Sequence, residues 1–324
     1  MKRRILSLAA LAACAWSIAV PAAADAAYPA KPVRIIVGYS AGGPTDAVAR
    51  LVAAHLQTKL GQPFVVDNRA GAGSNIASEA VAAAAPDGYT LLVAAAPLTM
   101  NSHVYKNLKF DAVKSFVPIS KLSSAPGVLA VRTDWGVGSV KEFVAAAKKE
   151  PGKFTYGTTG LGGSQHMATE LFQRLAGVKL THIPYKGASN VMTDLIAGHV
   201  DLAFMTATGA MPHLQAGKVK PLAVAGPQRL SGLPNVPTFA EAGYPAMISD
   251  SWNGLLAPAG TPEAIVKKLH AAAAEALQMP ETRTKLESQG AIVIGNSPEE
   301  FRADIQREVA HWAEQFKAIK IEMQ

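Results

Sequence analysis

Three times along this chain a short run rich in β-branched residues enters a glycine-rich loop and leaves it as a helix. The loops are Gly38-Tyr39-Ser40-Ala41-Gly42-Gly43-Pro44-Thr45-Asp46, Arg69-Ala70-Gly71-Ala72-Gly73-Ser74-Asn75 and Thr158-Thr159-Gly160-Leu161-Gly162-Gly163-Ser164-Gln165. A strand that feeds a helix cannot fold straight back as a hairpin, so the repeated step specifies crossover connections and a largely parallel sheet. In such folds these loops gather at the carboxyl ends of the strands. There they present unpaired helix N-terminal N–H groups, which suit anions.

The rest of the pattern extends this unit. Strands are expected over residues 33–37, 64–67 and 90–94, with helices over 44–60 and 77–85. Val48, Leu51, Val52, Leu56 and Leu60 share one face of the first helix, which Gly61 stops. The alternation restarts with strands over 128–131, 154–157, 180–183 and 201–205. A helix opened by the capping box Ser139-x-x-Glu142 follows the first of these, and further helices span 164–176 and 190–197. Proline and glycine cluster over 226–245. The tail is helical over 262–277, 281–289 and 298–317, the last behind Ser297-x-x-Glu300. With too few strands for a third domain, the tail is expected to return and cover the first unit. The expected fold is α/β with two lobes, each a mainly parallel sheet flanked by helices, joined by two chain crossings. Residues 27–124 and 230–324 form lobe 1, and 125–229 form lobe 2.

Lys2, Arg3 and Arg4 precede an apolar run over 5–20 and a small-residue stretch, so residues 1–26 read as a secretory signal peptide and the mature chain as periplasmic. Cys14 lies inside that run. A lipoprotein anchor at Cys14 ranks second, because the apolar stretch continues past it. Losing Lys2, Arg3, Arg4 and Asp25 with the leader lowers the formal charge from +7 to +5. The remaining basic residues are scattered, which argues against nucleic acid as a partner. At 49% hydrophobic and 17% charged the chain is not disordered. The mature chain has no cysteine, and its histidines form no H-x-H, H-x-x-x-H or H-E-x-x-H, so no metal or other cofactor is expected.

Two catalytic or cofactor patterns are tested by the same loops. Gly71-x-Gly73-x-x-Ile76 lacks the third glycine of a dinucleotide fingerprint. Gly38-x-Ser40-x-Gly42 matches the hydrolase nucleophile motif, with Asp201 or Asp250 and His270 or His311 as triad candidates. A nucleophile elbow, however, puts its serine at the helix entrance, and here Gly42, Gly43 and Pro44 intervene. An exported serine hydrolase using Ser40 is therefore the alternative, and no catalysis is the favoured reading.

Holding a micromolar ligand takes roughly 8 kcal/mol. A hydrogen bond to a charged group contributes ~1.5–3 kcal/mol and a helix N-terminus ~0.3–1 kcal/mol. One glycine loop is not enough, so several must converge.

The chain resembles a known family at several points. Pro32-Val33-Arg34-Ile35-Ile36-Val37 leading to Gly42-Gly43-Pro44-Thr45-Asp46-x-x-Ala49-Arg50 is similar to the start of the solute-binding proteins of tripartite tricarboxylate transporters, the Bordetella uptake gene family. Asp67-Asn68-Arg69-x-Gly71-Ala72-Gly73, Pro86-Asp87-Gly88-Tyr89-Thr90, Tyr105-Lys106-x-Leu108-x-Phe110-Asp111, His182-Ile183-Pro184-Tyr185-Lys186-Gly187 and Pro237-Thr238-Phe239-x-Glu241-x-Gly243 extend the resemblance in order along the chain. It implies a two-lobed periplasmic binding protein of type II kind, a monomer that binds a small organic carboxylate between its lobes and delivers it to two membrane subunits. By position it implies ligand contacts from Tyr39, Ser40, Gly42, Gly43, Thr45 and Asp46, from Ser74 and Asn75, from Thr99, and from Ser164, Gln165 and Thr206. Ser40 and Ser74 stand where the family more often has proline and glycine, which adds two hydroxyls.

The remaining candidates read as structural. Asp46 suits the helix dipole as a cap charge, and Arg69 is expected to order its own loop. Lys186 is placed at the cleft rim. His166 is expected to be satisfied at a helix start, and Trp135, Trp252 and Trp312 to pack in cores.

Overall fold

The computed structural model describes residues 28–160, 163–185 and 187–319. The expected signal peptide with Cys14, part of the third glycine loop and Lys186 lie outside the described residues.

The chain builds β1 (Val33–Val37), α1 (Pro44–Leu60), β2 (Phe64–Asn68), α2 (Asn75–Ala82), β3 (Thr90–Ala95) and the short α3 (Pro97–Met100). A 16-residue strand follows, β4 (Phe116–Val131), then α4 (Val140–Lys149), β5 (Thr155–Thr158), α5 (Ser164–Ala176) and β6 (Thr181–Pro184). Next come α6 (Ala188–Ala197), β7 (Leu202–Thr206), α7 (Ala207–Gln215), β8 (Lys220–Val224) and β9 (Asp250–Pro258). The tail is α8 (Glu263–Gln278), α9 (Pro280–Ser288), β10 (Ile292–Val293) and α10 (Pro298–Ile319).

The strands order as β2-β1-β3-β9-β4-β7-β5-β6, with β8 and β10 also on β4. β1 is parallel to β2 and β3, and β5 is parallel to β6 and β7. Between these groups β4 and β9 run antiparallel to their neighbours. The expected parallel sheets are therefore mixed, with their parallel parts at the outer ends.

Alternation along each strand explains the layers. Val33, Ile35 and Val37 of β1 and Leu91 and Val93 of β3 face one cluster with Val48, Val52 and Leu56 of α1 and Leu269 and Ala273 of α8. Ile36, Leu92 and Ala94 face the other side, against Ala77 and Val81 of α2 and Phe301 and Ile305 of α10. In the second lobe Leu129 and Phe204 pack on α4 and α5 through Phe143 and Phe172, while Val128 and Met205 pack on α6 and α7 through Leu195 and Met211. Strands covered on both faces read as continuous apolar runs, and each such side chain contributes ~1.5–3 kcal/mol of burial. The tail does return: α8 packs on α1, and α10 on β4.

The crossings differ from expectation at one end. β4 pairs with β9 from Phe116 to Pro126 and then with β7 and β8 from Gly127 or Val128 onward, so the first crossing lies at Pro126–Gly127. The second was expected near residue 230. Instead Leu230, Leu233 and Val236 join the second lobe's α6–α7 cluster, Phe239 and Met247 its α4–α5 cluster, and the chain crosses at Ser249–Asp250. The Gly/Pro-rich stretch is held by hydrogen bonds to β8, from Phe239 N–H to Val224 O at 2.9 Å and from Val224 N–H to Pro237 O at 2.9 Å. Thr238 and Glu241 make a reciprocal capping box there.

Candidate functional site: the loops at the strand crossing

Register alone brings the glycine loops to one place. The C-terminal end of β3 (Ala95) pairs with Asn253, three residues from Asp250, and Asp250 pairs with Pro126 at the crossing. β1 and β2 run parallel to β3, so the loops after Val37 and Asn68 end on the same side. From the other lobe Gly127 pairs with Thr206, the last residue of β7, and β5 runs parallel to β7. The loops after β1, β2, β3, β5 and β7 therefore flank the two crossing strands.

The helices that start there, α1, α2, α5, α6 and α7, have no side-chain cap on their first N–H groups. By contrast, α4, which starts at the far end of β4, is capped by Ser139, whose Oγ accepts from Glu142 N–H at 3.2 Å. Ser297 and Glu300 cap α10 reciprocally. α8 and α9 are also uncapped, so the signature is the convergence of uncapped ends and not the missing cap alone.

The first loop is braced from within. Asp46 is buried; its Oδ2 accepts from Gly42 N–H and Arg50 Nε, both at 2.9 Å, and its Oδ1 accepts from Asn68 Nδ2 at 2.9 Å. Burial pushes this carboxyl up, but Arg50, the Gly42 N–H and Asn68 outweigh it and hold the pKa below the usual range. Asn68 also donates to Tyr39 O at 3.0 Å, joining the first loop to the second. Asn68 was not among the expected site residues, although it stands in the Asp67-Asn68-Arg69 motif. Ser40 and Gly42 are exposed, Gly43 is half-buried and Thr45 is buried in the first turn of α1.

The second loop is a left-handed turn. Ala72 and Ser74 take φ of 46° and 77°, and Gly73 takes 60°. Such conformations cost a non-glycine residue ~1–2 kcal/mol. Ser74 is packed onto the first loop, directly against the α-carbon of Gly38, and its side chain hydrogen-bonds the half-buried Tyr39 phenol. Burial pushes that phenol's pKa well above its ordinary value. Asn75 is buried; its Oδ1 accepts from Asn101 Nδ2 at 2.5 Å, and Asn101 also donates to Gly73 O at 2.9 Å. This leaves Asn75 Nδ2 buried with no hydrogen-bond partner. An unpaired amide donor costs about 1–3 kcal/mol unless a ligand or water takes it.

Thr99 is completely buried in α3, and its hydroxyl serves Ala96 O at 2.9 Å and Glu308 Oε2 at 3.1 Å. In the second lobe Gln165 Oε1 accepts from Thr159 N–H at 3.1 Å, while Ser164 and Thr206 are half-buried. Ser164, Gln165 and Thr206 line a small void of about 10 Å³, enough for one water, with Gly127, Ser249 and Ser251 of the crossing. The crossing serines carry no motif, and only strand pairing reveals them.

Arg69 donates through Nε and Nη2 to Asp67 Oδ2, each at 3.0 Å, and so orders its own loop. Trp252 packs in a core, while Trp135 and Trp312 pack partly buried against the α4–α5 and α2–α10 clusters. Among the described residues Ser40 and the nominated Asp and His residues assemble no serine triad. Asp201 stands before β7, at the end away from Thr206, and holds Thr155. Asp250 accepts from Ser124 Oγ at 2.5 Å, His270 Nε2 lies 3.1 Å from Asn296 O, and His311 is on α10. Among the described residues no group of three His, Cys, Asp or Glu side chains is placed to hold a metal ion.

Two α/β/α lobes joined by a pair of crossing strands, with helix N-termini converging beside them, define the class of two-lobed solute-binding proteins. Within it the chain belongs to the tripartite tricarboxylate transporter receptors: the family model described as "Tripartite tricarboxylate transporter family receptor" matches residues 48–321. It is 35% identical to Protein BugT of Bordetella pertussis over 312 residues, covering 96% of this chain and 95% of that protein. An R. palustris protein solved with adipate is 35% identical with a TM-score of 0.86, over 92% of this chain and 100% of the other. MatC from Rhodopseudomonas palustris, solved with bound malate, is 34% identical with a TM-score of 0.80, over 89% and 99%.

Proposed function

We propose that the protein is an exported, periplasmic receptor that captures a small organic carboxylate between its lobes and hands it to the membrane subunits of a tripartite transporter. It acts as a monomer, without catalysis and without a cofactor. The observation that carries this reading is the convergence of uncapped helix N-termini from both lobes on the two crossing strands. These N–H dipoles suit a carboxylate, and several N–H hydrogen bonds to it at ~1.5–3 kcal/mol each, added to the dipoles, reach the roughly 8 kcal/mol of micromolar binding. The first lobe's loop cations, Arg50 and Arg69, are committed to Asp46 and Asp67, so the anion is held by N–H groups and neutral donors. Tyr39, Ser40, Gly43, Ser74, Asn75, Ser164, Gln165 and Thr206 line the site, with Asn75 Nδ2 as the buried donor ready for an oxygen. Thr45, Asp46 and Thr99 hold the loops that present it. The lobes close by rotation at Pro126–Gly127 and Ser249–Asp250.

Adipate and malate, the ligands of the two solved relatives, are both dicarboxylates. A thermal-shift screen of di- and tricarboxylates, aromatic acids, sugars and cations is expected to give a carboxylate hit, since ligand at 100 times its Kd adds about 2.7 kcal/mol. Stabilisation by a sugar or a cation and by no carboxylate would overturn the reading.

A further inference from the structure

The second ligand loop is pinned by a residue from outside the loop. Asn101 follows α3 directly and is only 4% exposed. Its backbone O accepts the Val104 and Tyr105 N–H groups at 3.0 and 2.9 Å, and two residues earlier Glu308 of α10 holds Thr99. From this anchored turn one nitrogen reaches the loop. Asn101 Nδ2 donates to Gly73 O at 2.9 Å and to Asn75 Oδ1 at 2.5 Å. An amide NH2 has two protons, so both are spent. Gly73, at φ 60°, packs closely here: a Cβ on it would lie 3.2 Å from the Tyr105 hydroxyl and 3.5 Å from Asn101 Nδ2.

The backbone sets the direction of both amides. Gly73 O can only accept, so the atom that Asn101 turns to it is the nitrogen. That nitrogen has only protons to offer, so the atom that Asn75 turns to Asn101 is the oxygen. The Asn75 NH2 is thereby directed away from Asn101, and it has no hydrogen-bond partner among the described residues. Asn75 is the first residue of α2, so this spare donor stands at an uncapped helix N-terminus. The neighbouring hydroxyls are engaged elsewhere, Ser74 with the Tyr39 phenol and Ser78 with Ser74 O at 3.1 Å.

We propose that Asn101 is a positioning residue for carboxylate capture: it fixes which end of the Asn75 amide faces the ligand, and so makes this point of the site a donor to anions. The inference rests on the capture of a carboxylate between the lobes. Turned the other way, the same amide would present Oδ1, and a carbonyl oxygen repels a carboxylate. The sign of the contact therefore depends on a side chain whose own donors are both committed to the loop.

The test is a double-variant cycle on affinity, read by calorimetric titration with malate and with adipate at neutral pH. Asn75→Ala removes the oriented donor and is expected to weaken binding about ten- to hundredfold, the range of one hydrogen bond to a charged group. Asn101→Asp replaces the orienting donor by an acceptor, turns the Asn75 amide round and is expected to cost at least as much. In the Asn75→Ala background the same change is expected to cost at least about tenfold less, whereas a residue that merely held the loop together would cost the same in both. Should Asn101→Asp not fold, Asn101→Ala takes its place in the cycle, with the same expectation of unequal losses. Without ligand, side-chain amide NMR of wild type is expected to show both Asn101 protons protected from exchange. In Asn101→Asp the Asn75 pair is expected to shift downfield and become protected. This arm reads the direction of the amide even where neither dicarboxylate binds, a result that would sink the capture reading alone. Equal losses in the two Asn75 backgrounds, freely exchanging Asn101 protons in wild type, or Asn75 protons left unchanged by Asn101→Asp would overturn the proposal.

Discussion

Replacing Lys121 by methionine is expected to lower the stability of the fold by about 3–5 kcal/mol, the usual penalty for removing one partner of a buried charge group. Lys121 is only 9% exposed on the lobe-1 half of β4. Its ammonium stands 3.8 Å from Asp250 Oδ2, 3.9 Å from Asp304 Oδ2 and 4.0 Å from Glu308 Oε1. Each carboxylate ties down a different part of the first lobe. Asp250 takes Ser124 at the crossing, Asp304 takes Asn296 and Arg307, and Glu308 takes the Trp252 indole N–H at 2.6 Å and the Thr99 hydroxyl. Burial already raises the Glu308 pKa, against the pull of Trp252, Lys121 and Thr99. Without Lys121 the Glu308 carboxyl loses that pull and rises further, and a carboxyl raised in the fold favours the native state at low pH. The deficit should therefore shrink as pH falls. Urea unfolding at neutral pH and near pH 5 measures both effects; a loss under about 1 kcal/mol, or a deficit that grows in acid, contradicts this account of the cluster.

Gly38→Ala is expected to cost about 3 kcal/mol, towards the upper end of overpacking effects. A Cβ on Gly38 would overlap Ser74 Oγ and lie 2.6 Å from Ser74 Cβ and 2.9 Å from its Cα, so the first two loops would have to part. The partner change Ser74→Gly removes the first two obstacles and relieves a left-handed serine. Alone it should lie within about 1 kcal/mol of wild type, because relief of strain offsets the added freedom of the unfolded chain. The double variant should recover about 1–3 kcal/mol of coupling. Additive unfolding free energies would show that the loops are not packed on one another.

Much of this was legible from local chemistry. β1 and α1 follow from an apolar run, a Pro at the first helical turn and a Gly stop, and the structure places both at the expected residues. The Ser297 box marks α10 equally well. The strands that make the crossing were hidden. β4 runs through Ile119-Ser120-Lys121-Leu122-Ser123-Ser124-Ala125-Pro126-Gly127, whose polar residues, proline and glycine argue against a strand. It is a strand because β9 pairs with it over Phe116–Pro126, a tertiary cause that no local window carries. β9, with Asn253 and Gly254 inside it, was missed for the same reason, and the second crossing was therefore set near 230. The site followed this division. Loop glycines and hydroxyls are visible as motifs, whereas the use of Thr99 by Glu308, the unpaired Asn75 amide and the crossing serines depend on residues far away in sequence.

The most direct test of capture between the lobes is a calorimetric titration of wild type and Gly43→Trp with malate and with adipate. Gly43 is the half-buried N-cap of α1, and a Cβ added there would meet only Ser40 O, at 3.4 Å, so an indole there fills the loop while leaving the sheet intact. Saturable 1:1 binding of at least one of the two by wild type, at about micromolar affinity, and its loss in a folded Gly43→Trp variant are the predicted result. Equal binding by both proteins, or no saturable binding of either dicarboxylate by wild type, would contradict it.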